Sequence, residues 1–365
     1  MQASGDRALR RALIEYDRRH GWRGPELQLT LEQAPTPLAL DRKLSDVPRL
    51  GGLNPAVVLS VDAKSVTFYV KRTGPATVAW GQMKWAKKRI DINRLGKAPK
   101  KPSDILARGD VVRLEQVSVR DKKTKQSEMV WRLSQLPDVE GAFVSIDPLD
   151  GRIVALSGGF DFNRSKFNRA TQAKRQPGSS FKPFIYSAAL EKGHTAASTI
   201  NDAPVVFNDD KFSDTVWRPV NSGGKSFGPT RLREALANSR NLVSIRLLAK
   251  IGINYTIEHV KRFGINTDKL PRDLSLSLGS GALTPLELAT GYTVLANGGF
   301  TVKPYFITRI ESQNGEVIDA PLPDRVCPQC EQELRVVGSS EVQPTPGVAP
   351  RTLPSENAWL MYSMM

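Results

Sequence analysis

The sequence predicts an α+β chain with two bodies in tandem: a small all-β domain, then a mixed domain built around one buried helix. Three stretches carry that prediction. Between residues 51 and 137, five short β-branched or alternating runs (57–61, 66–70, 77–80, 111–119 and 129–133) are separated by turn formers. At 141–159, GAFVSIDPLDGRIVALSGG, two apolar runs (142–146 and 153–156) flank an Asp-Pro-Leu-Asp-Gly turn, a hairpin that opens a new domain. At 175–189, RQPGSSFKPFIYSAA, Pro177 and Gly178 precede the helical apolar run Phe181, Phe184, Ile185, Ala188 and Ala189.

The 365 residues are enough for a sizeable core. They divide into a helical linker (1–50), a β domain (51–140) and the mixed domain (141–365). With 40% hydrophobic and 24% charged residues, the composition is globular. Lys and Arg number 52 against 37 Asp and Glu, a net charge of +15. That charge favours an acidic partner: nucleic acid, an anionic membrane surface or a polyanionic wall polymer. No apolar run approaches the roughly 18 residues that span a bilayer. The N-terminus, MQASGDRALRRAL, is charged from the start and is no signal peptide. The chain as it stands is expected to be soluble, with any anchor lying outside this stretch.

Along the chain, residues 6–16 read as a helix with the stripe Leu9, Ala12, Leu13 and Tyr16 among arginines. The five strand runs suit a small barrel of the OB-like kind. Its loops carry Lys84, Lys87, Lys88, Arg89, Lys97, Lys100, Lys101 and the basic stretch 120–125, with Trp85 expected at the surface. Basic loops with an exposed tryptophan fit single-stranded nucleic acid. No aromatic ladder or RNA motif accompanies the charge, so a solvated accessory surface without a nucleic-acid partner is the expectation. A polar loop, 161–176, leads into the Ser179 helix. Residues 199–227 are rich in turn formers, including Asn221-Ser222-Gly223-Gly224. A long helix pattern covers 232–251. Residues 276–299 hold a Gly-rich turn, a helix start at Thr284-Pro285 and a stop at Asn297-Gly298-Gly299. A strand pair is expected about Asn314-Gly315 within 303–317, and a proline-rich loop over 319–352. Ser355 stands where it caps a last helix, 358–365. The chain stops inside that helix, which reads as a fragment.

The chemistry centres on Ser179 and Lys182. Residues three apart share a helix face, so hydroxyl and amine meet at the first turn, where backbone N–H groups are unpaired and the dipole is positive. A serine hydroxyl needs a base to become a nucleophile. A lysine becomes that base when burial lowers its pKa. The frame is fixed, because Ser180 has Pro183 at its +3 position. Ser239 and Asn241 are the next candidates. Two residues apart on a regular helix they diverge, and they converge only where the backbone turns. Three histidines, His20, His194 and His259, lie in unrelated surroundings and offer no Ser-His-Asp triad. Cys327 and Cys330, in VCPQC, fit a zinc half-site, a redox pair, a loop disulfide or two idle thiols. With no second pair and no nearby histidine, neither a metal nor any other cofactor is expected.

With Ser179-Ser180-Phe181-Lys182 and Ser239-Arg240-Asn241 in this order and spacing, the chain resembles the penicillin-binding proteins. RQPGSSFKPF, NSRNLVSIRLL and SLGSGALTPLELATGYTVLANGG are similar to the class A, bifunctional members of the 1A type. The resemblance implies an OB-like domain followed by a serine β-lactamase-like transpeptidase domain, here cut short at its C-terminus. It implies a periplasm-facing D,D-transpeptidase of peptidoglycan synthesis. Ser179 is then the nucleophile toward the D-Ala-D-Ala stem peptide and toward β-lactams, and Lys182 its base. Ser239 is the proton relay, and Asn241 holds the substrate backbone. It further implies a glycosyltransferase domain and membrane anchor upstream, and a lipoprotein activator on the OB-like domain. The family's third motif, Lys-Thr-Gly or Lys-Ser-Gly, occurs nowhere in the sequence. The expectation is therefore an incomplete, inactive site. A β-lactamase or D,D-carboxypeptidase, and a basic binding module with an inactive transpeptidase remnant, are the alternatives.

Overall fold

The structure, a computed structural model, describes residues 1–120, 125–206, 217–330 and 346–365. Parts of the expected basic loop (121–124), turn-rich segment (207–216) and proline-rich loop (331–345) lie outside the described residues. The chain forms two compact units. One is Ala3–Ala142 with Gly158–Phe167; the other is Met1–Gln2, Phe143–Ser157 and Asn168–Met365.

The first unit is an antiparallel sheet of β1 (Leu27–Gln28), β2 (Asn54–Val61), β3 (Ser65–Val70), β4 (Gly74–Ala79), β5 (Asp110–Arg120) and β6 (Ser127–Ser134). The order is β1-β5-β2-β3-β4, with β6 added to β5. The long β5 organises it: its first half pairs β1 and β2, and from Arg113 onward it pairs β6. Val78 of β4, at one end of the path, and Leu133 of β6, which pairs β5, share one core with Val58, Phe68, Val112 and Leu114. The sheet therefore curls on itself, as in a small barrel. The five expected runs fall on β2 to β6, except that 77–80 stops at Ala79, where a 3₁₀ turn begins.

Residues 1–50, expected as a helical linker, hold α1 (Gln2–Arg19) and α2 (Pro37–Lys43). Leu9, Leu13 and Ile14 of α1 pack on Leu53 and Phe160, and Trp22 enters the barrel core. Trp85 is not the surface platform that the sequence suggested. Its Nε1 donates to Leu133 O (3.0 Å), its ring meets Trp22 edge-on, and the Arg18 guanidinium lies 5.2 Å over it. The ring is partly buried against the barrel core rather than displayed at the surface.

The second unit opens with the hairpin β7 (Phe143–Ile146) and β8 (Ile153–Ser157), close to the predicted runs. Its centre is α3 (Lys182–Glu191), whose residues are buried from Lys182 to Leu190. Around it stand α4 (Leu232–Ala237), α5 (Asn241–Ile251), α6 (Ile253–Lys261), α7 (Pro285–Ala296) and α8 (Ser355–Met364). Phe184 and Ile185 share a core with Val243, Leu247, Val260, Val294 and Met361. A helix with no polar face is stable only when enclosed.

Two short ribbons complete the unit: β9 (Thr199–Asp202) with β10 (Gly228–Arg231), and β11 (Ile310–Glu311) with β12 (Val317–Asp319). The predicted start of α7 is a capping box, with Thr284 Oγ1 accepting from Glu287 N and Glu287 accepting from Thr284 N. Ser355 proves to be the first residue of α8 rather than its cap, and Pro354 precedes it. Cys327 and Cys330 form a disulfide. Among the described residues, no helix is long and apolar enough to cross a membrane.

Candidate active site

Ser179 lies in the 3₁₀ turn Gly178–Phe181, immediately before α3, and is exposed. The turn is held from several directions. Gly178 N donates to Gly279 O (3.2 Å), Tyr292 Oη donates to Ser180 O (2.7 Å), and Lys182 N donates to Ser179 O. Just upstream, Arg175 and Leu283 exchange both backbone hydrogen bonds (2.9 and 3.0 Å). Gly279 has φ +69°, and its backbone lies so near the turn that a Cβ would stand 2.0 Å from Gly178 O. Only glycine fits there.

One turn on, Lys182 is 1% exposed. Its Nζ donates to Ser239 O (2.7 Å), Ser239 Oγ (3.0 Å) and Asn241 Oδ1 (2.7 Å). All three acceptors are neutral, so no opposite charge offsets burial, and burial brings the amine from 10.5 down to about 8. Among the described residues, no hydrogen bond joins Ser179 Oγ to Nζ.

The predicted helix over 232–251 is broken, and the break makes the site. α4 ends at Ala237, Ser239 takes φ +51°, and α5 starts at Asn241. A left-handed backbone at a non-glycine residue costs on the order of 1 kcal/mol. It turns Ser239 and Asn241 toward one amine, which an unbroken helix would not do.

Sequence reasoning missed the groups that hold this turn. Asn221 Oδ1 accepts from Asn241 N (2.7 Å) and Leu242 N (3.2 Å), and Val220 O accepts from Asn241 Nδ2 (2.9 Å). Asn221 in turn donates to Asp202 Oδ1 (2.7 Å). Their only sequence signal was an asparagine in a turn-rich stretch. His259 is a core group: its Nε2 meets Ser187 Oγ (2.9 Å), Arg262 contacts its Nδ1, and Ser187 Oγ also donates to Asn357 Oδ1 (2.9 Å).

One buried lysine joining a Ser-x-x-Lys turn to a Ser-x-Asn turn is the motif pair of active-serine acyl-transfer proteins. Residues 22–139 match the family described as penicillin-binding protein OB-like domain, and residues 141–341 match penicillin binding protein transpeptidase domain. The chain belongs to the penicillin-binding protein transpeptidase family. It is 44% identical to penicillin-binding protein 1A of Pseudomonas aeruginosa, over 89% of this chain and 38% of that protein. It is 41% identical to penicillin-binding protein 1A of Vibrio cholerae, over 100% of this chain and 44% of that protein. The crystal structure of penicillin-binding protein 1A from Haemophilus influenzae matches with a TM-score of 0.82 and 32% identity, over 100% of this chain and 52% of that one. The chain spans about two fifths of the length of the curated relatives it matches.

Proposed function

We propose that this chain carries the acylating machinery of a peptidoglycan D,D-transpeptidase that β-lactams inhibit. Ser179 Oγ attacks the penultimate D-Ala carbonyl of a stem peptide and releases the terminal D-Ala, and an acceptor amine then resolves the acyl-enzyme. The observation that carries this reading is Lys182, enclosed, one turn from an exposed serine and, among the described residues, bound to no carboxylate.

With a pKa of about 8, roughly a tenth of Lys182 is neutral at pH 7. A neutral amine keeps two N–H groups, which suit the two carbonyl acceptors, Ser239 O and Asn241 Oδ1. Its lone pair then points along the third, longest contact, toward Ser239 Oγ. The Ser239 hydroxyl can turn to donate there, or yield to Ser179 Oγ, whose proton Lys182 accepts as the C–O bond forms. Ser239 passes a proton to the departing nitrogen. Asn241 Nδ2 is taken by Val220 O, so its carboxamide is oriented before substrate arrives. Ser179 N supplies one oxyanion donor.

The division of labour between residues 51–140 and 141–365 belongs to this proposal. So do the upstream glycosyltransferase, a membrane anchor, a position on the periplasmic face of the inner membrane and a lipoprotein activator on the OB-like unit.

The test is labelling with a fluorescent penicillin, located by mass spectrometry. It is run on this chain and on the chain continued past Met365 with a Lys-Thr-Gly-bearing segment of a family member. Label on Ser179, lost in Ser179→Ala, is expected at least in the continued form. Two folded forms that both stay unlabelled would overturn the proposal.

A further inference from the structure

The N-terminus of α5 is capped from a distance. Arg240, the residue preceding α5, makes no side-chain capping bond. The first two N–H groups of the helix, from Asn241 and Leu242, go instead to Oδ1 of Asn221, about twenty residues earlier in the chain. Asn221 is 3% exposed and uses its whole hydrogen-bonding capacity. Two bonds reach Oδ1, and Nδ2 donates to Asp202 Oδ1 (2.7 Å) and Lys225 O (2.9 Å). Its neighbour Val220 takes the Asn241 side chain. Asn241 is thus gripped at its backbone N–H and by one N–H of its carboxamide, and its Oδ1 faces Lys182.

Asp202 decides which way Asn221 points. Its carboxylate accepts only, so Nδ2 must face it and Oδ1 must face the helix. A flipped amide would set NH2 against two N–H donors. Asp202 is 0% exposed, ends β9, and its Oδ2 has no hydrogen-bond partner among the described residues. Burying a carboxylate with one oxygen unsatisfied is expensive, and a cap alone does not need it, because a buried serine or asparagine caps as well.

We propose that Asn221 and Asp202 are positioning residues that set Asn241, and through it Lys182, for proton transfer. The proposal rests on the reading of Ser179 and Lys182 as nucleophile and base. Asp202 fixes the Asn221 amide, Asn221 fixes the start of α5, and the two together leave Asn241 Oδ1 one orientation.

The experiment uses the full chain in four forms: wild type, Asn221→Ala, Asn221→Asp and the exchange Asn221→Asp with Asp202→Asn. Lys182 is titrated by NMR after reductive ¹³C-methylation, its signal identified by loss in Lys182→Arg. The penicillin acylation rate is measured in the form that labels. Asn221→Ala is expected to let water reach Nζ and move its midpoint upward from about 8, and to slow acylation about a hundredfold. Asn221→Asp sets two carboxylates together and is at least as slow. The exchange restores a donor–acceptor pair and the cap but sets a carboxylate oxygen against Lys225 O, and is expected to recover part of the way, at least about tenfold above Asn221→Asp. A folded Asn221→Ala with an unmoved Lys182 midpoint and an unchanged rate would overturn the inference, as would an exchange no better than Asn221→Asp. Absence of Ser179 acylation in wild type strikes the functional reading instead, and leaves the titration to judge this one.

Discussion

Gly279→Ala isolates the support beneath Ser179. The new Cβ would sit 2.0 Å from Gly178 O and 2.7 Å from Gly178 C, where real contacts essentially never fall under 3.0 Å. The Ser179 turn must therefore retreat by at least 1.0 Å, the difference between 3.0 and 2.0 Å. Displacing a reacting group by about 1 Å costs on the order of 10²-fold in rate. The left-handed φ of +69° adds about 1 kcal/mol of backbone strain. Gly193→Ala is the matched control, since Gly193 has φ +86° and nothing within 4 Å of its Cβ position. Both variants should lose stability from backbone strain, Gly279→Ala the more because of its clash, read as Tm. Only Gly279→Ala should lose acylation of Ser179, read as the second-order rate with a fluorescent penicillin. If Gly279→Ala acylates within threefold of Gly193→Ala, the turn does not depend on this contact and the reasoning fails.

Two pH dependences follow from burial. Lys182 is held near 8 against its ordinary 10.5, so below about pH 8 the folded protein bears the full cost of an enclosed ammonium. Between about 8 and 10.5 the unfolded chain binds more protons, and stability rises with pH. Lys182→Met should lack that rise in urea titrations, and wild-type acylation should climb about tenfold per pH unit below 8 and then level off. His259 is held at about 3, first by burial and then by Arg262, with Glu191 and the Tyr255 ring also against it. The unfolded chain then binds more protons between about 3 and 6.5, so stability is lost as pH falls through that window, by up to about 5 kcal/mol. His259→Gln should flatten the acid limb; an unchanged limb assigns acid unfolding to other groups.

What was legible in the sequence was local. Ser179 and Lys182 declare themselves by a three-residue spacing after a Pro-Gly start, and β2, β3, β5 and β6 by alternation. Thr284 and Glu287 announce their own helix start. Ser239 and Asn241 were visible as candidates, but their convergence was not, because it rests on one left-handed residue inside a good helix pattern. Asn221, Asp202, Tyr292 and Gly279 act through partners roughly 20 to 110 residues away. Nothing in the neighbouring residues encodes such a partner. The burial of Trp85 failed to show for the same reason, since Trp22 and Leu133 come from different strands and turns.

Asn357 of α8 reaches back 170 residues to α3, where Ser187 gives it both its Oγ and its carbonyl (2.9 and 2.8 Å). This sets an order of assembly. As the chain is made, the helix behind Ser179 waits for its clasp through the interval between residues 187 and 357. At ribosomal speed that is roughly 10 to 30 s. Until then Ser187 has His259 but lacks Asn357, and Met361 is missing from the core around Phe184. Ser179 is thus synthesised early and its support is completed late, so a chain halted midway presents the Ser-x-x-Lys motif without the clasped helix behind it.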